Sequence, residues 1–432
     1  MQKMKKLTAV LIGAGSRGMS YSKLMKQNDL FDIVAVAEPI TSRRERIRLE
    51  HNIPEDRCFT DWKPLVDLGK IADIAVVCTM DRDHFAPAMA CIDLGYDLLL
   101  EKPITPTPEQ CRDLCAAAEA KGVKVVICTV LRYTKVFVKL RDLIDSGKIG
   151  KVMAINHEEC VGNIHQSHSF VRGRWGNTER SSNMLLQKCC HDIDILQWLL
   201  GKKCKSVQSF GMLSYFTPEN APEGAPERCT DGCPHADTCP YNAIKLYYDA
   251  KENAWFRRAA AEEENPTDEM VMDALLHKNY GKCVYKVDND VVDHQTVNMV
   301  FEGDTIVTLH MNAFNAGGRY IHIMGTKGEL RAAMDGKSPI EFRPITAAPG
   351  EKTETEIIDF RADNSITSGH GGGDEGLIYD LAAYLAGTYE GKSIPTIAES
   401  YYNHLLTFAA EESRLSNRIV DMDEYIREIE AK

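Results

Sequence analysis

Short apolar runs alternate with amphipathic stretches through the first 150 residues. The apolar runs predict strands over Thr8–Ile12, Ile33–Ala37, Ile74–Cys78, Asp97–Leu100 and Val123–Cys128. Between them, apolar residues recur at helical spacing near Met19–Gln27, Arg43–Glu50, Phe85–Leu94 and Pro108–Lys121. Strands and helices alternating at these lengths predict a parallel sheet built from right-handed crossovers.

After Gly150 the pattern changes. Val152–Cys160 reads as a longer strand, and strands then follow one another at His294–Phe301, Thr305–Asn312 and Tyr320–Met324. Gly303-Asp304 and Gly317-Gly318 supply the turns between them. Consecutive strands with little helix predict a mostly antiparallel open sheet, with closing helices near Glu375–Leu385 and Ser400–Ser413. The expected fold is an α/β Rossmann domain over residues 1–130, followed by an α+β domain over 131–432. A stretch at about 217–282 fits neither pattern. It begins with Pro, Asn and Gly, carries three cysteines, turns acidic and helical around Ala260–Glu264, and reads as an insertion in the second domain.

Composition narrows the class. With 432 residues, 44% hydrophobic and 26% charged, the chain suits two globular domains. A formal net charge of −12 excludes general nucleic-acid binding, which needs clustered Lys and Arg. No apolar run is long enough for a membrane span, and the basic start Met1–Lys6 runs into a strand rather than a cleaved leader. The 14 scattered cysteines, Cys78, Cys91 and Cys128 among them, are those of buried free thiols in a reducing cytoplasm. A cytoplasmic location is therefore expected.

Gly13-Ala14-Gly15-Ser16-Arg17-Gly18 is a G-x-G-x-x-G sequence between an apolar strand and a helix, the context in which it signals dinucleotide binding. Gly13 permits the tight turn, Gly15 lets a pyrophosphate approach, and Gly18 lets helix and strand pack closely. Ser16 and Arg17 open the helix whose N-terminus faces the phosphate. The second strand ends at Glu38, a carboxylate suited to the ribose hydroxyls of NAD and repulsive to a 2′-phosphate. Arg43 and Arg44 soften that preference, so NADP stays open.

Lys102 follows the Asp97–Leu100 strand, at the end of a parallel sheet where ligands bind. Oxidising a carbinol needs a proton acceptor on oxygen while hydride leaves carbon. A lysine whose pKa is lowered by partial burial and a nearby nicotinamide cation meets that need. His168, Arg172 and Trp175, on a polar, aromatic and glycine-containing segment, form a candidate sugar-binding wall; a solvated surface loop is the competing reading. His370, in the glycine-rich turn before the Glu375 helix, is a further substrate candidate.

Together the glycine loop, Glu38-Pro39, the Thr79-x4-His84 segment, Glu101-Lys102-Pro103 and a histidine opening a second-domain helix resemble the Gfo/Idh/MocA family, over essentially the whole chain. The resemblance implies that Thr79, His84, Glu101, Lys102 and Arg132 border the cofactor, and that Tyr133 lies by the substrate. It also implies His191 beside the reacting hydroxyl. The family's Asp-x3-His pattern departs here: Gln187 holds the Asp position, with Lys188 next to it, so Lys102 and His191 remain as the acid/base pair. The implied activity is NAD-dependent oxidation of a secondary hydroxyl on a sugar, cyclitol or derivative, by a homodimer or homotetramer formed through the second-domain sheet. A glycoside-cleaving relative, in which hydride leaves and returns, and a non-catalytic NAD sensor are the alternatives. The sensor's expected mark, loss of the lysine or histidine, is missing.

Cys229-x3-Cys233-x5-Cys239 is metal-like in spacing. Three thiolates predict a structural zinc site if His235, Cys204, Cys283 or Cys189 supplies a fourth ligand, and unligated thiols otherwise.

Overall fold

The computed structural model describes residues 6–345, 353–360 and 372–432. Its first sheet comprises β1 (Leu7–Ile12), β2 (Phe31–Ala37), β3 (Cys58–Phe59), β4 (Ile74–Val77), β5 (Asp97–Leu100) and β6 (Val125–Ile127). The spatial order is β3-β2-β1-β4-β5-β6, with every neighbouring pair parallel. The crossovers run through α1 (Ser16–Gln27), α2 (Thr41–His51), α3 (Trp62–Val66), α4 (Phe85–Asp93) and α5 (Pro108–Lys121). The order of strand addition reverses between β1 and β4, which opens a crevice at their carboxyl ends. β1 shows why the run is continuously apolar: Ala9 and Leu11 enter the core on one face, Val10 and Ile12 the core on the other.

The second sheet contains β7 (Val152–Cys160), β8 (Cys204–Met212), β9 (His294–Phe301), β10 (Thr305–Asn312), β11 (Gly318–Gly325), β12 (Gly328–Ala333), β13 (Ile340–Pro344), β14 (Glu356–Ile358) and β15 (Val420–Asp421). Their order is β14-β13-β12-β11-β7-β10-β9-β8-β15, antiparallel except where β7 lies beside β10. Helices α6 (Lys135–Asp145), α7 (Asn163–His165) and α8 (Met184–Leu200) precede β8. Leu185, Cys189, Ile193 and Leu196 of α8 share one core with Ile155, Val297, Met299, Val307 and Leu309 of the sheet. The other face is open and carries Phe210, Ile306 and Tyr320 exposed.

The insertion holds α9 (Ala254–Ala261) and α10 (Asp268–His277), with a small core of its own around Tyr247, Phe256, Ala260, Val271 and Leu275. At the end of the chain, α11 (Gly373–Leu385) and α12 (Ile397–Ser416) precede β15 and α13 (Met422–Ala431). α11 turns back on the first domain: Leu377, Ile378 and Leu381 pack with Leu11 and Val126. On the opposite side Ile397 and Phe408 of α12 join the core that contains Ile12 and Leu100. α12 lies between the sheets, since its Leu406, Ala409 and Ala410 join the core of the second sheet. No helix among the described residues is long and apolar enough to cross a membrane.

Candidate active site

The glycine loop lies between β1 and α1, and each glycine answers a different steric demand. Gly13 has φ +91°, and a Cβ there would stand 2.6 Å from the carbonyl oxygen of Cys78. A Cβ on Gly18 would stand 2.1 Å from the Gly13 oxygen, so helix and loop touch backbone to backbone. Around Gly15 nothing lies within 4 Å of the Cβ position, leaving an open approach. Gly15 is the N-cap of α1, no side chain caps the first turn, and that turn holds no acidic residue. An open, uncapped helix start of this kind suits a pyrophosphate, which takes free N–H groups and the positive end of the dipole.

The neighbouring loops are braced against this turn. Glu38 is buried; its carboxylate accepts from the Ala14 N–H at 2.7 Å and the Ile40 N–H at 2.9 Å. Arg17 donates to Glu101 at 2.8 Å and to both oxygens of Asp374 at 2.9 and 2.7 Å, and contacts the Tyr21 hydroxyl. Burial opposes the charge of Glu101, but Arg17 and Lys102 outweigh it and hold its pKa below the usual carboxylate value. His84 is buried with Nδ1 2.8 Å from the Pro103 oxygen and Nε2 3.1 Å from the Thr79 oxygen, while the Thr79 hydroxyl donates to the Asp83 oxygen. Thr79 and His84 thus tie the ends of β4 and β5 together.

At the end of β5, the Lys102 Nζ donates to the main-chain oxygen of Gln187 at 3.0 Å. Gln187, Lys188 and His191 lie on the first turns of α8, where residues four apart share a face, so His191 stands one turn along from the lysine's anchor. Asn183 caps this helix, its side chain accepting from the Leu186 N–H at 2.8 Å. The Gln187 Oε1 is buried without a protein partner among the described residues. Beneath, a charged floor rises from the second sheet: Lys188 to Glu159 at 3.2 Å, Arg319 to Glu159 at 2.7 Å and to Asp192 at 2.8 Å, and His157 to Asp192 at 2.8 Å. Burial opposes ionisation of Asp192, yet Arg319 and the His157 hydrogen bond hold its pKa well below the ordinary value.

Two residues join this site that the sequence reading did not select. His165, ending α7, is pushed down to about 3 by burial and then by the charges of Lys188, His168, Arg319 and Lys102. Trp255, half exposed at the start of α9, meets the His165 ring edge-on at 5.3 Å. His165 belongs to the same polar segment as His168, but no spacing rule joins Trp255 to it across the intervening chain.

Other expected site residues go elsewhere. His168 is buried, stacked on Phe256 at 4.0 Å, with Nδ1 3.1 Å from the Tyr247 hydroxyl. Arg172 is buried too and donates to the Lys282 oxygen at 2.9 Å and the Tyr241 oxygen at 2.7 Å. Both fasten the insertion to the π-helical turn Gln166–Arg172, which corrects their reading as a sugar-binding wall. Trp175 packs half-buried near Phe170 at 6.1 Å. Arg132, expected at the cofactor, is buried in a two-bond link to Asp194 and reaches Glu399 at 2.7 Å, bracing α8 against α12. Tyr133 is buried against Gly376 of α11. His370 lies outside the described residues.

Cys229, Cys233 and Cys239 line one cavity with Cys283, His235 and Arg172. The four cysteines are free thiols, and among the described residues no group of three or more His, Cys, Asp or Glu is arranged to hold a metal ion. The Arg172 guanidinium faces the Cys229 Sγ at 3.7 Å, His235 Nε2 is 2.8 Å from the Glu223 oxygen, and burial raises the Cys239 and Cys283 thiols. The Arg172 guanidinium already stands at these sulfurs and opposes a second cation, so the expected zinc site is not supported.

Comparison with known proteins bears on both domains. Residues 7–129 match an oxidoreductase family, NAD-binding Rossmann fold, and residues 141–422 match the same family's C-terminal alpha/beta domain. Bacillus subtilis (strain 168) YteT is 26% identical over 324 residues, 72% of each chain. The inositol 2-dehydrogenase of Salmonella typhimurium (strain LT2) is 24% identical over 206 residues, 47% of this chain and 57% of that protein. In fold, the chain resembles levoglucosan dehydrogenase solved with NADH and levoglucosan, with a TM-score of 0.70, 15% identity, and 97% and 100% of the two chains covered. The glycine loop, the Glu101-Lys102-Pro103 turn and the two matched domains together make this chain a member of the Gfo/Idh/MocA family, an oxidoreductase with an NAD-binding Rossmann domain.

Proposed function

We propose that the protein reversibly oxidises a secondary hydroxyl of a sugar, cyclitol or related polyol with NAD, using Lys102 and His191 to move the hydroxyl proton. The observation that carries this reading is the junction of β5 with α8. The Lys102 Nζ reaches the Gln187 oxygen at 3.0 Å, one helical turn from His191 and beside the open glycine loop. The open Gly15 and the uncapped α1 fit the cofactor's pyrophosphate, and NAD bound there would supply the hydride acceptor.

Lys102, on a rigid strand end, takes the proton as the carbinol carbon gives up hydride. His191 relays the proton outward or returns it in the reductive direction. Gln187 cannot take a proton; its buried Oε1 instead accepts from a substrate hydroxyl. Lys188, held by Glu159, sets a positive charge at the floor. Trp255 offers an aromatic face to sugar C–H groups, the combination of apolar wall and few polar anchors common to small-molecule sites. Similarity to proteins named for inositol and levoglucosan supports the substrate class. The open face of the second sheet, with Phe210, Ile306 and Tyr320, is the surface through which copies pair; Ile306→Glu should shift the species seen by light scattering towards monomer.

The test is a sugar and cyclitol panel followed by nicotinamide absorbance. Lys102→Ala should keep fold and NADH binding while turnover falls by about 10²–10⁴-fold. Trp255→Ala should raise KM with kcat nearly unchanged. Turnover of the lysine variant within a few-fold of the parent removes the assignment. Product formation without net NADH points to the hydride-returning glycoside cleavage instead.

A further inference from the structure

The first two turns of α2 follow Glu38 and carry Ser42, Arg43, Arg44 and Arg46. By sequence this is a cationic cluster beside the adenosine ribose, of the kind that binds a 2′-phosphate. The insertion reaches it from more than two hundred residues away. Arg46 forms an ion pair with Glu264, and Glu264 is buried and also bound by Arg258 at 3.4 Å. Ser42 and the charge of Arg43 hold the neighbouring Glu263 carboxyl below its usual pKa. Its carboxylate is fixed in turn by the Glu264 N–H at 2.7 Å. Arg44 is committed to the Glu38 and Pro39 carbonyl oxygens at 2.6 and 3.3 Å. Each arginine of these turns is therefore engaged or faced by an acidic partner.

We propose that the insertion is the cofactor selector of this enzyme: Glu263 and Glu264 neutralise the basic start of α2 and so exclude the 2′-phosphate of NADP. The proposal rests on the reading that the dinucleotide binds at the glycine loop. A 2′-phosphate at this helix start would have to stand near the carboxylates of Glu263 and Glu38, with Arg46 already paired to Glu264. A free ribose hydroxyl meets no such repulsion. The insertion thus touches His165 through Trp255 and α2 through Glu264.

Binding of NADH and NADPH is followed by fluorescence titration of the full chain, so turnover is not needed. The parent should bind NADH more tightly than NADPH. Glu263→Gln, and the Glu263→Gln/Glu264→Gln pair, should improve NADPH affinity by about tenfold or more while NADH affinity stays within about threefold, one charge-assisted contact being worth about that factor. Adding Arg43→Ala to either variant should cancel the gain, a result that a loosened insertion would not give. An unchanged NADH-to-NADPH ratio in Glu263→Gln, with NADH still bound at parental affinity, overturns the selector. A parent that binds neither nucleotide instead defeats the dinucleotide reading itself, and the selector with it.

Discussion

The nucleotide turn and the insertion handle polar groups in opposite ways. At the glycine loop, function depends on what is missing: no Cβ on Gly13 or Gly18, no side-chain cap on α1, nothing within 4 Å of the Gly15 Cβ position. Where the insertion is anchored, polar side chains serve architecture. His168 stacks on Phe256 and Arg172 gathers the carbonyls of Tyr241 and Lys282. Polar residues near a cleft are therefore ambiguous in sequence, because a small satellite core needs buried hydrogen-bonding staples as much as a substrate needs partners. A missing side chain is less ambiguous, since it is required wherever backbones touch.

That contrast can be broken at either end. Gly18→Ala has the largest expected effect, because its methyl would meet the Gly13 oxygen where no flexible group can yield. NADH affinity should fall by about 10²-fold or more, with stability loss of about 1–3 kcal/mol in urea unfolding. Near-parental binding would show that the loop can open without cost. Arg172→Ala comes next: it orphans the carbonyls of Tyr241 and Lys282, so stability should drop by about 1–3 kcal/mol. NADH affinity at the distant glycine loop should stay unchanged. If that variant were stable and only KM rose, Arg172 would belong to the substrate after all.

At neutral pH the smallest effect is that of the buried histidines, and it grows only as pH falls. Burial, aided by Arg172, pushes His168 down to about 3, and burial pushes His404 down to about 4. Both are neutral when folded, and their unfolded forms take up protons near the ordinary histidine value of about 6.5. Below that pH the unfolded state binds more protons, so stability falls as pH drops from about 6.5 towards the folded pKa values. Each histidine contributes a slope of at most about 1.4 kcal/mol per pH unit in this window. His168→Phe, which keeps the ring stacked on Phe256, should flatten thermal stability measured between about pH 6 and 4. An unchanged slope would mean that His168 reaches solvent in the folded state.

Much of the first domain was legible because its signals are local. Five of its strands are visible as apolar runs, whereas β3, two residues long, is too short to carry a period. In the second domain β8 escaped notice, since it buries Ser209 while exposing Phe210 and Met212, which breaks the apolar-in, polar-out alternation. Lys102 and His191 could be named from the sequence because each belongs to a short motif at the start or end of an element. His165, Trp255 and Glu263 could not, because each acquires its place from a partner far along the chain.

The sequence by itself determined the parallel sheet, the glycine turn and the lysine at the end of β5, all consequences of periodicity and backbone sterics within a few residues. Only the tertiary structure decided which charges are free to meet a ligand. It committed Arg132 to Asp194, Arg172 to the insertion and Arg46 to Glu264. The physical reason is that a buried ion must find a counter-charge or acceptor, and folding brings that partner from any distance in the chain.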